Sequence, residues 1–197
     1  MHIFTLPLGD YQTNCYLVSD ETGQTAVIDP GYAPERILAA AQQNRLRICA
    51  VLLTHAHFDH VGAVRGLAQA TACPVWLNEK ELRLPEYLTA GPLYYTDCYR
   101  EGDEVAVGTL RFSVLETPGH TLGSVCLRCG ESLFSGDTLF AGSCGRTDLG
   151  GSAQEMRRSL ARLAGIPENL NIYPGHGEAT TLDAERARNP YLKEAVR

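Results

Sequence analysis

No apolar run in this sequence approaches the ~20 residues that a helical membrane span requires. No cluster of Lys and Arg is present either. The basic residues are scattered and the formal net charge is −6 at pH 7, which argues against a nucleic-acid backbone as the main partner. The opening Met1-His2-Ile3-Phe4-Thr5 lacks the basic stretch and apolar run of a secretory leader. A complete disulfide framework is excluded, because seven cysteines is an odd number and their spacings are irregular. These absences point to a reducing compartment, the cytoplasm by default, and to a small molecule as partner. Low-complexity tracts and linkers are also missing, so one domain over residues 1–197 is expected, as a monomer or small homo-oligomer.

What is present is ordinary in bulk: 44% hydrophobic and 20% charged residues, in a chain long enough to bury a core. The 19 glycines suggest many tight turns, where sites tend to be built. Short β-leaning runs cover Thr13 to Ser19 and Gln24 to Asp29, with a turn at Glu21-Thr22-Gly23 between them. Pro34 fits the first turn of a helix over Glu35 to Gln43. Ile48 to Leu53 is nearly continuously apolar, the pattern of a strand buried on both faces. A helix from Val61 to about Ala70 and a strand over Pro74 to Leu77 follow. Pro85 to Arg100 reads as a long surface loop able to serve as a lid. Strands then recur at Glu104 to Val107, Leu110 to Leu115, Ser124 to Leu127 and Ser132 to Phe134. A helix over Ala153 to Leu163 and a strand over Asn171 to Tyr173 complete the second half. The same strands-then-helix order thus appears twice. That predicts an α/β fold, a four-layer αββα sandwich of two sheets with helices outside.

The chemistry is concentrated at strand ends. Thr54-His55-Ala56-His57-Phe58-Asp59-His60 follows the buried strand directly and packs four ligand-type side chains into six positions. In extended backbone, residues two apart face one side, so His55 and His57 can reach one ion together. The helix after them turns Asp59 and His60 elsewhere, available to a second ion. Solvated loop histidines are the bland alternative, but loops rarely concentrate such residues without need. Thr117-Pro118-Gly119-His120, Ser135-Gly136-Asp137 and Tyr173-Pro174-Gly175-His176 repeat the pattern of a strand, a turn and a ligand-type side chain. Each alone is weak; together they place five of the six histidines at strand ends, where α/β folds tend to build sites. Imidazole and carboxylate at this density suit zinc first, with iron or manganese as alternatives.

The motifs His55-x-His57-x-Asp59-His60, Pro118-Gly119-His120, Gly136-Asp137 and Gly175-His176-Gly177 resemble those of the metallo-β-lactamase superfamily. Ser135 to Phe140, continuing through Gly145-Arg146-Thr147-Asp148, is similar to its glyoxalase II-like (hydroxyacylglutathione hydrolase) branch, and the likeness runs from about Asn14 to about Leu192. It implies that His55, His57 and His120 hold one metal, that Asp59, His60 and His176 hold a second, and that Asp137 bridges both. Asp59 and Asp137 become the candidate catalytic carboxylates, and Arg146 a substrate-binding anion anchor. Common β-lactamases of this superfamily carry a cysteine near the bridging position, where this chain has Asp137. Glyoxalase II proper continues into a helical domain beyond the point matching Asn189-Pro190-Tyr191-Leu192, and has a tyrosine where Asp148 stands.

Two ions sharing a water lower its pKa toward about 7 and supply a nucleophile at neutral pH. The expected substrate is a thioester, whose leaving thiol, with a pKa of about 8.5, departs without a strong acid. Thr54, Thr117 and Asp29 are the candidates for supporting the ligands from behind. The alternative on the same scaffold is a mononuclear Fe(II) persulfide dioxygenase using His55, His120 and Asp137. Cys126-x-x-Cys129 has metal-ligand spacing but no second pair, and reads as part of a hairpin. Tyr87, Tyr94, Tyr95 and Tyr99 either line a pocket or pin their loop, and Gly62 and Gly66 permit close helix packing.

Overall fold

The structure is a computed structural model that describes residues 1–89 and 91–197. Its first sheet carries β1 (His2–Leu8), β2 (Thr13–Ser19), β3 (Gln24–Ile28), β4 (Arg47–Leu52), β5 (Val75–Asn78) and β6 (Asp97–Tyr99), side by side in that order. The pairs β1–β2 and β2–β3 are antiparallel; from β3 onward neighbouring strands run parallel. The second half adds β7 (Glu104–Val107), β8 (Leu110–Glu116), β9 (Val125–Cys129), β10 (Ser132–Gly136), a small hairpin of β11 (Leu139–Phe140) and β12 (Ser143–Cys144), then β13 (Asn171–Pro174) and β14 (Thr180–Thr181). The second sheet runs β14-β13-β10-β9-β8-β7, with only β10 and β13 parallel.

Period-two alternation explains the layers. On β2, Cys15 and Leu17 face one way and Tyr16 and Val18 the other; on β4, Ile48 and Val51 oppose Ala50 and Leu52. The first face packs on α1 (Pro34–Gln43) and, beyond a short α2 (Phe58–Val61), on α3 (Val64–Thr71), through Ile37, Ala41, Val64 and Leu67. The second face meets Val105, Phe112, Val114, Leu127 and Phe134 of the other sheet. After a short α4 (Glu86–Thr89), the far side of that sheet is covered by α5 (Ala153–Ala164), α6 (Leu182–Arg188) and α7 (Pro190–Ala195) through Met156, Leu160, Leu163, Leu182 and Leu192. The result is the four-layer αββα sandwich of two mixed sheets. Each buried aliphatic or aromatic side chain in these layers contributes about 1.5–3 kcal/mol.

The differences from the sequence reading have local causes. The helix expected from Val61 to Ala70 is instead two helices, starting at Phe58 and Val64. A Cβ on Gly62 would lie 2.2 Å from the Gly31 carbonyl oxygen, and the Ala63 N–H leaves the helix to reach Pro30 O at 2.9 Å. Asp59 and His60 therefore ride on their own short turn. The stretch Pro85 to Arg100 is not one loop: α4 and β6 lie within it, while Ala90 falls outside the described residues. β1 is an edge strand, where Pro7 costs no ladder bond, and its half-exposed pattern gives a weak apolar signal. The helices α6 and α7 are short and rely on caps, Thr181 for one and Asn189 with Pro190 for the other. No described helix is long and apolar enough to cross a membrane.

Candidate metal centre

Four strand ends converge along one edge of the seam between the sheets. After β4 the chain bends at Thr54 and reaches an extended His57, and the Val125 N–H from the second sheet caps Thr54 O at 2.8 Å. His55 and His57 thereby leave the first sheet toward the second, and α2 adds Asp59 and His60. His120 comes from the turn after β8, Asp137 from the end of β10 and His176 from the turn after β13. The Gly175 N–H donates to Gly136 O at 2.8 Å, which ties two of these segments directly, and the Asn14 N–H of β2 holds Gly175 O at 2.8 Å.

All seven predicted ligand residues come together. Ligand-type atoms of His55, His57 and His120 lie within 4.8 Å of one another, and so do those of Asp59, His60 and His176. Within the first set, His57 Nδ1 and His120 Nε2 are 2.8 Å apart. In the second, His176 Nε2 lies 3.2 Å from Asp59 Oδ2 and 3.3 Å from His60 Nε2. Asp137 stands between them: one oxygen is 3.4 Å from His120 Nε2 and 3.6 Å from His176 Nε2, the other 3.5 Å from His60 Nε2.

The partners behind the histidines fix which nitrogen faces inward. His60 Nδ1 meets the Asp29 carboxylate at 3.1 Å, His120 Nδ1 the Arg146 carbonyl at 2.7 Å and His176 Nδ1 the Tyr11 carbonyl at 3.1 Å. These oxygens accept only, so each Nδ1 carries a proton and each Nε2 is the nitrogen turned to the interior. His57 is reversed: Nε2 donates to Leu149 O at 2.9 Å and Nδ1 faces in. The Thr54 hydroxyl donates to Asp29 at 2.6 Å and so receives the His55 Nδ1 proton at 3.2 Å. His55 Nε2 and Asp137 Oδ1 are then left buried without a hydrogen-bond partner. Inward lone pairs from imidazoles and carboxylates, two of them orphaned, are what a pair of divalent ions requires. The residues present fit such ions.

The electrostatics differ across the centre. Burial pushes the His55 and His57 imidazoles down, His57 to about 4, and neighbouring histidines add to both shifts. His120 is also lowered by burial, against the pull of Asp137. Burial would lower His60 too, but Asp137 and Asp29 outweigh it and hold its pKa up at about 9. At His176 the Asp59 hydrogen bond and the Asp137 charge overcome burial and raise the pKa. Asp59 sits well below the usual carboxylate range, because His176, His60 and the Thr13 hydroxyl outweigh its burial.

The model of the metallo-beta-lactamase superfamily matches residues 8–176.

The chain belongs to the metallo-β-lactamase superfamily.

Members are generally metal-dependent hydrolases. Among similar proteins is a hydroxyacylglutathione hydrolase, GloC, of Haemophilus influenzae, 35% identical over 208 residues covering 98% of either chain. Similar solved structures include BLEG-1, titled a B3 metallo-beta-lactamase, with TM-score 0.89 and 36% identity over 97% of this chain and 99% of that one. Another is TTHA1623 in a di-iron-bound form, with TM-score 0.86 and 41% identity over 95% and 99%.

Other residues take their places around the superfamily's site. Arg146 supports His120 through its carbonyl, while its exposed guanidinium grips Asp148 with two bonds of 2.6 Å. Thr117 braces Thr138 at 3.0 Å and touches no ligand directly. Cys126 and Cys129 lie on opposite faces of β9, in different core layers, so the pair is structural. Tyr99 is buried, stacks on Trp76 and donates to Leu53 O, pinning the strand before the histidines; Tyr87 is exposed and Tyr94 lies over Arg65. Gly62 and Gly66 do permit close packing, against Gly31 and Pro34. Sequence reasoning missed Thr13, whose hydroxyl holds Asp59 Oδ2 at 3.0 Å, and Asn14, which holds the Pro174 and Gly177 carbonyls around His176. It also missed Glu81. Thr13 and Asn14 leave a faint signal as polar residues opening a buried strand. The Tyr11 and Leu149 carbonyls leave none, because main-chain oxygens carry no sequence signature.

Proposed function

We propose that this chain is a dinuclear-metal hydrolase acting on a thioester, of the S-acylglutathione class, or on a related ester. The observation that carries the reading is the pair of donor sets facing each other across Asp137, with two buried polar atoms left unpaired. His55, His57 and His120 would hold one divalent ion and Asp59, His60 and His176 the other, with Asp137 shared; zinc suits the donors first, iron or manganese next. Bound there, the ions would supply a water nucleophile at neutral pH and polarise the acyl carbonyl. The chain's own part is to hold those seven side chains in fixed tautomers, keep bulk water from the buried set and steer the substrate in. Arg146 is the anion anchor of this reading: a substrate carboxylate competes with Asp148 for the exposed guanidinium.

Thioester chemistry suits the residues present. The titratable side chains at the centre are committed as donors, so a leaving group that departs without a proton is favoured over an amide nitrogen. GloC lends the substrate class, since that hydrolase is matched over 98% of its own length. The persulfide dioxygenase reading would use His55, His120 and Asp137 and leave Asp59, His60 and His176, equally well supported from behind, without a task.

The test is elemental analysis of purified protein beside a thioester panel including S-D-lactoylglutathione, with a β-lactam as the amide control. Two metals per chain and thioester turnover well above lactam turnover are expected. One iron per chain with oxygen consumption on glutathione persulfide would displace the hydrolase.

A further inference from the structure

Glu81 is the one buried carboxylate beside the centre that the reading above leaves without a task. It lies in the 3-10 turn Glu79–Arg83 after β5 and is fully buried. Its neighbours point outward: Lys80 pairs with Glu116 at 2.5 Å. Burial raises the Glu81 pKa, and the like charge of Asp29 raises it further; three hydrogen bonds oppose both. A carboxylate so placed is costly unless each donor is satisfied in turn.

The three donors come from two segments. Oε2 accepts the Ala56 N–H at 2.6 Å, and Ala56 is the residue between His55 and His57. Oε1 accepts the Thr121 hydroxyl at 2.7 Å and the Gly123 N–H at 2.9 Å, in the turn that presents His120. That turn closes tightly: a Cβ on Gly123 would stand 2.5 Å from Glu81 Oε1 and 2.8 Å from its main-chain nitrogen. Ser124 completes the turn, bonding the Thr121 hydroxyl at 2.7 Å and its N–H at 3.0 Å. The second set, Asp59, His60 and His176, receives nothing from Glu81; it is braced by Thr13, Asp29 and Tyr11 O.

We propose that Glu81 is a positioning residue for one metal only. Its two oxygens clamp the His55-Ala56-His57 segment to the His120 turn and so set the spacing of the three-histidine donor set. The clamp needs an acceptor at both ends, which a carboxylate provides and an isosteric amide does not. Glu81→Gln keeps the volume but turns an NH₂ toward either Ala56 N–H or the Thr121 turn, and one side of the clamp opens.

The inference rests on the dinuclear reading, and its test separates the two. Metal-free wild type and Glu81→Gln are titrated with Co²⁺, followed by visible absorption and calorimetry. The expected result is one binding step weakened about 10- to 100-fold and the other unchanged, as for partners that orient ligands from behind. In His176→Ala, which damages the other set, the surviving step must be the one that Glu81→Gln weakens. A general loss of stability would lower both steps together, and that result, or no change in either, overturns the role of Glu81. Wild type that takes fewer than two Co²⁺ ions overturns the dinuclear reading and this inference with it. Should Glu81→Gln not fold, Thr121→Val removes a single donor. A smaller weakening confined to the same step then supports the clamp, and equal weakening or none overturns it.

Discussion

His55, His57 and His120 form a set of buried imidazoles crowded against one another, whereas Asp59, His60 and His176 mix imidazole with carboxylate and include a histidine that rests on Asp29. The first set lowers the pKa of every member; the second raises both of its histidines and depresses its aspartate. One half of the centre is therefore tuned to stay neutral and the other to hold protons until something replaces them. A cation entering the first set meets ready lone pairs. Entering the second, it must displace the proton that His60 holds, so binding there depends more steeply on pH.

The strongest way to break this division is to remove the residue both halves share. Asp137→Ala is expected to lose dinuclear metal and to cut thioester kcat/KM on the order of 10³-fold; metal content and turnover near wild type would sink the assignment. Next, His57→Ala and His176→Ala should each drop to about one ion per chain. Because partners behind a ligand cost 10–100-fold, loss of a direct ligand should exceed ~100-fold in affinity at its own site; calorimetric titration would show whether the other site is spared. Thr13→Val, which frees Asp59 Oδ2, should weaken the second ion about tenfold and leave the first alone.

The metal-free protein offers a test by pH alone. His57 falls to about 4 in the folded chain from 6.5 unfolded, so the unfolded chain binds more protons between those values and stability rises with pH across them. His60 rises to about 9 from 6.5, so its contribution is full below 6.5 and lost as pH climbs through 9. The melting temperature of metal-free protein should peak near pH 6.5 and fall on both sides, and saturating metal should flatten that peak. A monotonic profile in the metal-free protein would contradict the division. The smallest effect is at the rim: Arg146→Ala should raise KM about two- to fivefold with kcat unchanged, as suits an exposed charge already shared with Asp148.

Much of this was legible in the sequence for physical reasons. The αββα layering could be read because the strands-then-helix order appears twice and a strand buried on both faces, β4, leaves a nearly continuous apolar run. The residues that cluster could be picked out because four strand-end segments repeat one pattern of ligand-type side chains, although each segment alone is weak. What escaped was whatever depends on contacts distant along the chain. Glu81 sits in a charged stretch, Glu79-Lys80-Glu81, that reads as a solvated turn; only the arrival of Ala56 and Gly123 buries it. The reversed ring of His57 depends on the Leu149 carbonyl, and Arg146 offers its main chain where its side chain drew attention. The break at Gly62 follows from Gly31, far back in the chain, pressing on the helix backbone.

The strand-end convergence also imposes an order in time. Chains emerge from the ribosome N-terminus first, and early domains begin to fold as they appear. His55 and His57 wait for His120 before three donors exist, while Asp59 and His60 wait until His176 has been made. Every residue of the three-histidine set is thus made before the mixed set is complete.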